Sequence, residues 1–294
     1  MTRILLTGKS GQVGTELITA LAPLGSVFAC DREALNLGDP AAIVSVVREM
    51  RPDIIVNAAA YTAVDRAETE PELAMALNGA APGILAAEAL RLGALLVHYS
   101  TDYVFDGSKS GAYTEEDAPH PLNVYGRTKL AGERAVQTSG ARHLILRTSW
   151  VYGTAGKNFL LTMQKLAAER DEIKVVDDQI GAPTWCRDIA TATAEILTRV
   201  NAKDVDTSTV SGIYNLSAQG STSWHGFAAA ILAETPDAPG KQRTKLTPIP
   251  TSDYPLPAAR PLNSILSHDK RQCTFSVELP DWRTSLRKCL GVTG

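Results

Sequence analysis

The stretch Arg3-Ile4-Leu5-Leu6-Thr7-Gly8-Lys9-Ser10-Gly11-Gln12-Val13-Gly14 decides the fold. Its first five residues form a short apolar run with the length of a strand buried on both faces. The glycines at 8, 11 and 14 suit a tight turn, close backbone approach to a pyrophosphate, and close packing of a following helix. A helical pattern over 12–22 comes next, and its N-terminus offers N–H groups and the positive end of a dipole to phosphates. In isolation GxxGxxG is a common glycine-rich turn. Between a strand and a helix at the head of the chain, it predicts a dinucleotide-binding loop.

The same alternation continues outward. Val27–Asp31, Asp53–Asn57, Leu95–Ser100 and His143–Arg147 read as further buried strands, with helices over 40–50, 71–92 and 122–140. Strand–helix alternation implies right-handed crossovers and a parallel sheet covered on both faces, an α/β Rossmann-like doubly wound fold. After about residue 150 the pattern loosens. Helices are expected near 157–170, 188–200, 223–234 and 281–290, and strands near 173–177 and 212–216. Pro248, Pro250, Pro255, Pro257 and Pro261 exclude helix and central strand from Thr247–Pro261, which predicts an extended loop over a surface or pocket. The expected division is a dinucleotide-binding domain at 1–150 carrying the catalytic residues, and a smaller C-terminal substrate-binding lobe at 151–294, partly interleaved with it.

Composition narrows the function. A net charge of −3 without single-sign runs leaves no footprint for nucleic acid. Cys30, Cys186, Cys273 and Cys289 lie far apart with no CxxC, which favours reduced thiols over a disulfide frame or zinc site. The N-terminus enters a strand at once, without the basic and apolar regions of a signal peptide. The longest apolar stretch, Gly79–Ser100, is interrupted by Glu88 and Arg91 and is too polar to span a bilayer. A soluble cytoplasmic protein with no nucleic-acid or membrane partner is expected.

Asp31 closes the second strand, placed to accept hydrogen bonds from the adenosine ribose of NAD; Arg32 beside it suits the 2′-phosphate of NADP. Both signals stand, so NADH and NADPH are both expected cofactors. Asn57-Ala58-Ala59-Ala60-Tyr61-Thr62 ends the next strand with small residues, leaving room for a dinucleotide over the strand ends.

Tyr125 and Lys129 stand at i and i+4 on one helix face. A free phenol titrates near pH 10, and a nearby cation lowers that value toward the range of acid–base work. Thr101 and Ser100 emerge at the end of the strand Leu95–Tyr99, on the sheet edge that carries the glycine loop. Either hydroxyl can orient a carbonyl oxygen that Tyr125 protonates. Arg260, on the stiff Pro-rich loop, suits bidentate phosphate contact. Trp150, Tyr152, Trp185 and Trp224 are candidates for stacking on a base or sugar, or for core.

At these residues the chain resembles the extended short-chain dehydrogenase/reductase family, and within it the reductases of dTDP-L-rhamnose synthesis. The resemblance runs through ILLTGKSGQVG, NAAAYTAVDRAE, STDYVFDG, the run from Tyr113 to Lys129, RTSWVYG, QIGAPT and ARPLNSIL. It implies NAD(P)H-dependent reduction of the C4 ketone of dTDP-4-dehydro-L-rhamnose. It implies that Thr101, Tyr125 and Lys129 are catalytic, and that Gly8, Gly11, Gln12, Val13, Gly14, Asp31, Arg32, Asp39, Ala60, Tyr61 and Thr62 line the cofactor with Tyr125 and Lys129. Thr101, Asp102, Tyr125, Trp150 and Arg260 then face the substrate. Pro40 departs from the family's aliphatic residue after Asp39. The resemblance also implies a homodimer with Mg²⁺ in a structural role at its contact, held by Glu16, with Asp188 as a further candidate. Nucleotide-sugar dehydratases of the same layout carry an acidic residue after the Thr-Asp pair; here Tyr103 stands there, which favours ketone reduction over elimination. The alternatives are a reductase or epimerase for another nucleotide sugar, and a non-catalytic NADP-binding regulatory subunit.

Overall fold

The short branched runs become strands because each is largely apolar and finds a parallel neighbour in one sheet. The structure, a computed structural model, describes residues 1–202, 210–235 and 244–292. In the first half, β1 (Arg3–Thr7), β2 (Ser26–Cys30), β3 (Ile54–Asn57), β4 (Leu95–Thr101) and β5 (His143–Thr148) are joined through α1 (Gln12–Leu21), α2 (Pro40–Met50), α3 (Val64–Ala67), α4 (Pro71–Met75), α5 (Ala81–Leu92) and α6 (Val124–Thr138). The second half holds β6 (Val151–Tyr152), α7 (Phe159–Glu169), β7 (Glu172–Val176), β8 (Ile180–Gly181), β9 (Thr184–Trp185) and α8 (Cys186–Asn201). It continues with β10 (Gly212–Asn215), β11 (Thr222–Ser223), α9 (Trp224–Glu234), β12 (Lys245–Ile249), α10 (Asp269–Phe275) and α11 (Trp282–Cys289).

The main sheet has the order β10-β5-β4-β3-β1-β2 and is parallel throughout. The chain leaves β1 for β2 on one side and returns past it to β3 on the other. That reversal opens a crevice at the C-terminal ends of β1 and β3, where doubly wound folds bind ligands. Leu17, Leu21, Ile189 and Ile196 of α1 and α8 cover one face of the sheet. Ile43, Val47, Leu85 and Ala89 of α2 and α5 cover the other. A third cluster, built on Tyr152, Trp185, Phe227 and Trp282, is the core of the second half.

β10 crosses back into the main sheet beside β5, and α8 lies on α1, so the two halves of the chain share a sheet and a core. The expected helix over 71–92 is continuous, but α4 and α5 meet through a π-helical turn, Ala76–Ala80. Pro71–Leu92 is long and apolar enough to cross a membrane, with a mean hydropathy of 1.4, where the sequence suggested no such stretch; half of that window is buried inside the protein. The Pro-rich run is less uniform than expected. Its first residues lie in β12, parallel to β7, with Pro248 opposite Val175, and Thr251–Asp253 form a 3-10 turn. A proline is tolerated because β12 has a single strand neighbour and an edge to which Pro need donate nothing. The paired two-residue strands β6–β9 and β8–β11 were not legible, being shorter than any periodic signal.

Candidate active site

The glycine loop is closed by contact as well as by conformation. Gly8 has φ +76°, and a Cβ there would sit 2.7 Å from the Ala59 amide nitrogen. At Gly14 a Cβ would lie 1.9 Å from the Gly8 carbonyl oxygen. The Gly11 N–H donates to the Gly8 carbonyl at 3.0 Å, and α1 starts at Gln12 without a side-chain cap. A glycine cradle ending in an uncapped helix N-terminus fits a dinucleotide pyrophosphate. Gln12 accepts from Asn158 Nδ2 at 2.9 Å, which ties the loop to the start of α7. Val13 packs between the first and third cores.

Asp31 stands at the end of β2, with Oδ1 taking the Ala34 N–H at 3.0 Å and Oδ2 the Lys9 ammonium at 2.9 Å. The Ala34 amide and then Lys9 hold its carboxyl below the usual range. Lys9 went unnoticed as a cation because its partner lies on another strand. Arg32 is exposed beside this pair. Asp39 caps α2, accepting from Ala41 N at 2.9 Å and Ala42 N at 3.3 Å, so Pro40 sits where a helix has no N–H to lose. Ala60 and Thr62 retain accessible surface beyond β3. Tyr61 is buried, bonded through its amide to Asn78 at 2.8 Å and through its hydroxyl to Glu70 at 2.6 Å.

Thr101 is the last residue of β4 and caps a 3-10 turn over Asp102–Val104, accepting the Tyr103 N–H at 3.1 Å. Helix α6 comes close to that turn because Gly126 has no Cβ: one would stand 2.1 Å from the Tyr103 carbonyl oxygen. Asn123 caps the helix by accepting the Gly126 N–H at 2.8 Å, which sets Tyr125 beside Thr101. Strand alternation separates the two candidate hydroxyls. Thr101 meets Tyr125, whereas Ser100 pairs in register with Arg147 and its buried Oγ has no partner.

Lys129 follows Tyr125 by one helical turn, 2% exposed, its ammonium donating to the Tyr99 carbonyl at 2.5 Å. Burial pulls its pKa down to about 8, opposed by the charge of Glu133 one turn further on. Burial pushes Tyr125 up to about 12, with the nearby Thr101 hydroxyl pulling the other way. The expected lowering of the phenol by Lys129 is therefore not what this site displays, because the ammonium is drawn to a backbone carbonyl and the ring is crowded by protein. A phenol held protonated at neutral pH is the form a proton donor needs. Tyr103 meets the Tyr125 ring edge-on, centroids 5.9 Å apart.

The expected substrate side divides. Asp102 is turned inward, 2% exposed, with both oxygens taken by hydroxyls of the protein: Thr101 at 2.9 Å and Ser149 at 3.0 Å. Trp150 has φ +45° and stacks on Trp224 at 3.6 Å, both rings partly accessible. Tyr152 and Trp185 are core. Arg260 is engaged within the protein, its two terminal nitrogens donating to Asp65 at 2.9 and 2.8 Å. Asp65 of α3 also takes the Ala258 N–H, and Asn123 donates to the Ala259 carbonyl at 2.8 Å. Residues 258–260 are thereby fastened to the N-terminus of the tyrosine helix. Asp65 and Asn123 were missed as site residues, although Asn before a helix is a cap signal.

Glu16 lies on α1. It receives Arg187 at 2.9 Å, Asp188 accepts from Ser285 at 2.5 Å, and among the described residues no three His, Cys, Asp or Glu side chains cluster as a metal site. All four cysteines are unpaired.

Residues 1–293 match the family model described as RmlD substrate binding domain. The chain is 49% identical over 291 residues to the dTDP-4-dehydrorhamnose reductase of Burkholderia thailandensis, covering 98% of each. Among solved structures it is similar to the dTDP-4-dehydrorhamnose reductase from Bacillus anthracis in complex with NADP, at TM-score 0.88 and 36% identity over the whole of both chains. The reductase ortholog from Clostridium acetobutylicum matches at TM-score 0.90 and 35% identity over 99% of each chain.

Proposed function

The chain belongs to the RmlD substrate binding domain family, and from that premise we propose that it reduces the C4 ketone of dTDP-4-dehydro-L-rhamnose to dTDP-L-rhamnose with NAD(P)H. The observation that carries this is the Thr101–Tyr125 pair at the end of β4, one helical turn from buried Lys129 and on the sheet edge of the glycine cradle. NAD(P)H, when bound, supplies the hydride. Gly8, Gly11, Gln12, Val13 and Gly14 hold its pyrophosphate, Asp31, Arg32 and Lys9 meet the adenosine ribose or its 2′-phosphate, and Ala60 and Thr62 border its path. Tyr125 gives its proton to the ketone oxygen, Thr101 orients that oxygen, and Lys129 holds the nicotinamide ribose.

Trp150, backed by Trp224, faces the sugar, and Arg260 meets the diphosphate. Residues 1–150 act as the dinucleotide domain and 151–294 mainly as the substrate lobe. Four unpaired thiols suit a cytoplasmic enzyme, and a homodimer is part of the same reading. Water elimination would need a carboxylate where Tyr103 stands, and a regulatory subunit would not need Thr101, Tyr125 and Lys129 together. Replacing Tyr125 by Phe tests the assignment: turnover should fall by roughly 10²–10⁴ with NADPH affinity within a few fold. A variant that keeps most of its turnover would overturn it.

A further inference from the structure

Thr101 has one proton to give and two lone pairs to offer. It gives the proton to Asp102 Oδ1 at 2.9 Å and takes the Tyr103 N–H at 3.1 Å. Tyr125 stands beside it, carrying a proton of its own. In this arrangement Thr101 has no proton to offer a carbonyl.

Asp102 is the cause. An ionised carboxylate only accepts, so it holds the Thr101 proton inward. A neutral carboxyl has a proton of its own, and donating it to Thr101 Oγ1 would turn the Thr101 proton outward. Asp102 does not depend on Thr101 for satisfaction: the Ser149 hydroxyl donates to Oδ2 at 3.0 Å.

We infer that Asp102 is a positioning residue that sets the donor–acceptor polarity of Thr101, and so decides whether Thr101 has a proton to offer the substrate. With Asp102 ionised, the order of donation runs from Thr101 inward to Asp102. With Asp102 neutral, it runs Asp102 to Thr101 to the carbonyl oxygen, and Tyr125 donates to the same oxygen. The titratable groups facing Asp102 are Tyr103 of its own turn and Tyr125 of α6; Thr101, Ser149 and Ser264 complete the shell with hydroxyls. No cation is among its partners, and burial pushes its carboxyl up to about 6 against the pull of Thr101, Ser264 and Ser149. Both protonation states are therefore within reach near neutral pH.

This inference rests on the reductase reading above. Its test is the pH dependence of kcat at saturating NADPH and keto-sugar nucleotide, in the wild type and in Asp102→Asn. The wild type should lose roughly tenfold in kcat as pH rises from one unit below to one unit above an inflection at or above pH 6. Asp102→Asn should lack that inflection while binding NADPH, read by fluorescence, as the wild type does. Ser149→Ala is the second variant, informative even if Asp102→Asn fails to fold. It removes a donor to the carboxylate, so the inflection should move to higher pH. A flat wild-type profile, an inflection that survives in Asp102→Asn, or one that stays put in Ser149→Ala would each overturn the inference. Absence of any turnover in the wild type would instead contradict the reductase reading itself.

Discussion

Lys129 is a cation kept where water cannot reach it, and its cost is visible in its titration. Its folded value near 8 lies below that of an unfolded lysine, so the folded chain binds fewer protons between the two values. The penalty is full below pH 8 and fades as pH rises toward the unfolded value. Lys129→Met should therefore raise the melting temperature at pH 7 by roughly 2–5 °C, with the gain shrinking toward pH 10, while turnover is lost. A lower melting temperature would mean that the ammonium–Tyr99 bond outweighs the burial. At this scale Tyr125, Lys129 and Thr101 were legible because their spacing and their place at a strand end are local. The inward turn of Asp102, the Lys9–Asp31 pair and the choice between Thr101 and Ser100 were not, since each depends on which side of a strand faces a neighbour.

The tyrosine helix is fixed to the sheet by more than apolar contact. Glu133 on α6 and Arg147 on β5 are fully enclosed, their side chains 0% and 1% exposed, and meet through two bonds at 2.8 and 2.7 Å. Such a pair adds little over an apolar replacement of both partners, but breaking it strands a buried charge. Glu133→Ala should cost about 3–5 kcal/mol in urea unfolding, and Glu133→Leu combined with Arg147→Met should recover most of it. At the other end of the sheet, Gly14→Ala drives a Cβ into the Gly8 carbonyl and should abolish NADPH binding, measured by fluorescence titration, or folding itself. Strands β1 to β5 and helices α1, α2 and α6 were legible to within two residues because period and punctuation agree there. Helix α3, the two-residue strands and the strand start of the Pro-rich run were not, because pairing partners distant in sequence create them.

Across the whole molecule, the two halves meet at the tyrosine helix. Residues 258–260 reach it from the far end of the sequence, with Arg260 held by Asp65 and Ala259 by Asn123, which also caps α6. A diphosphate arriving there competes with Asp65 for the guanidinium. Arg260→Gln should raise KM for the nucleotide sugar by roughly 10–100-fold, the worth of charge-assisted hydrogen bonds, and leave KM for NADPH within twofold. Equal changes in both constants would contradict a substrate role for Arg260. The sequence marked Arg260 by its stiff loop but could not pair it with a carboxylate 195 positions away.

The most direct measurement follows the hydride. The purified protein, given NADPH deuterated at the transferring C4 position and dTDP-4-dehydro-L-rhamnose made enzymatically, should oxidise the cofactor and yield dTDP-L-rhamnose with deuterium at sugar C4. No cofactor oxidation, or a product without deuterium at that carbon, would contradict the account.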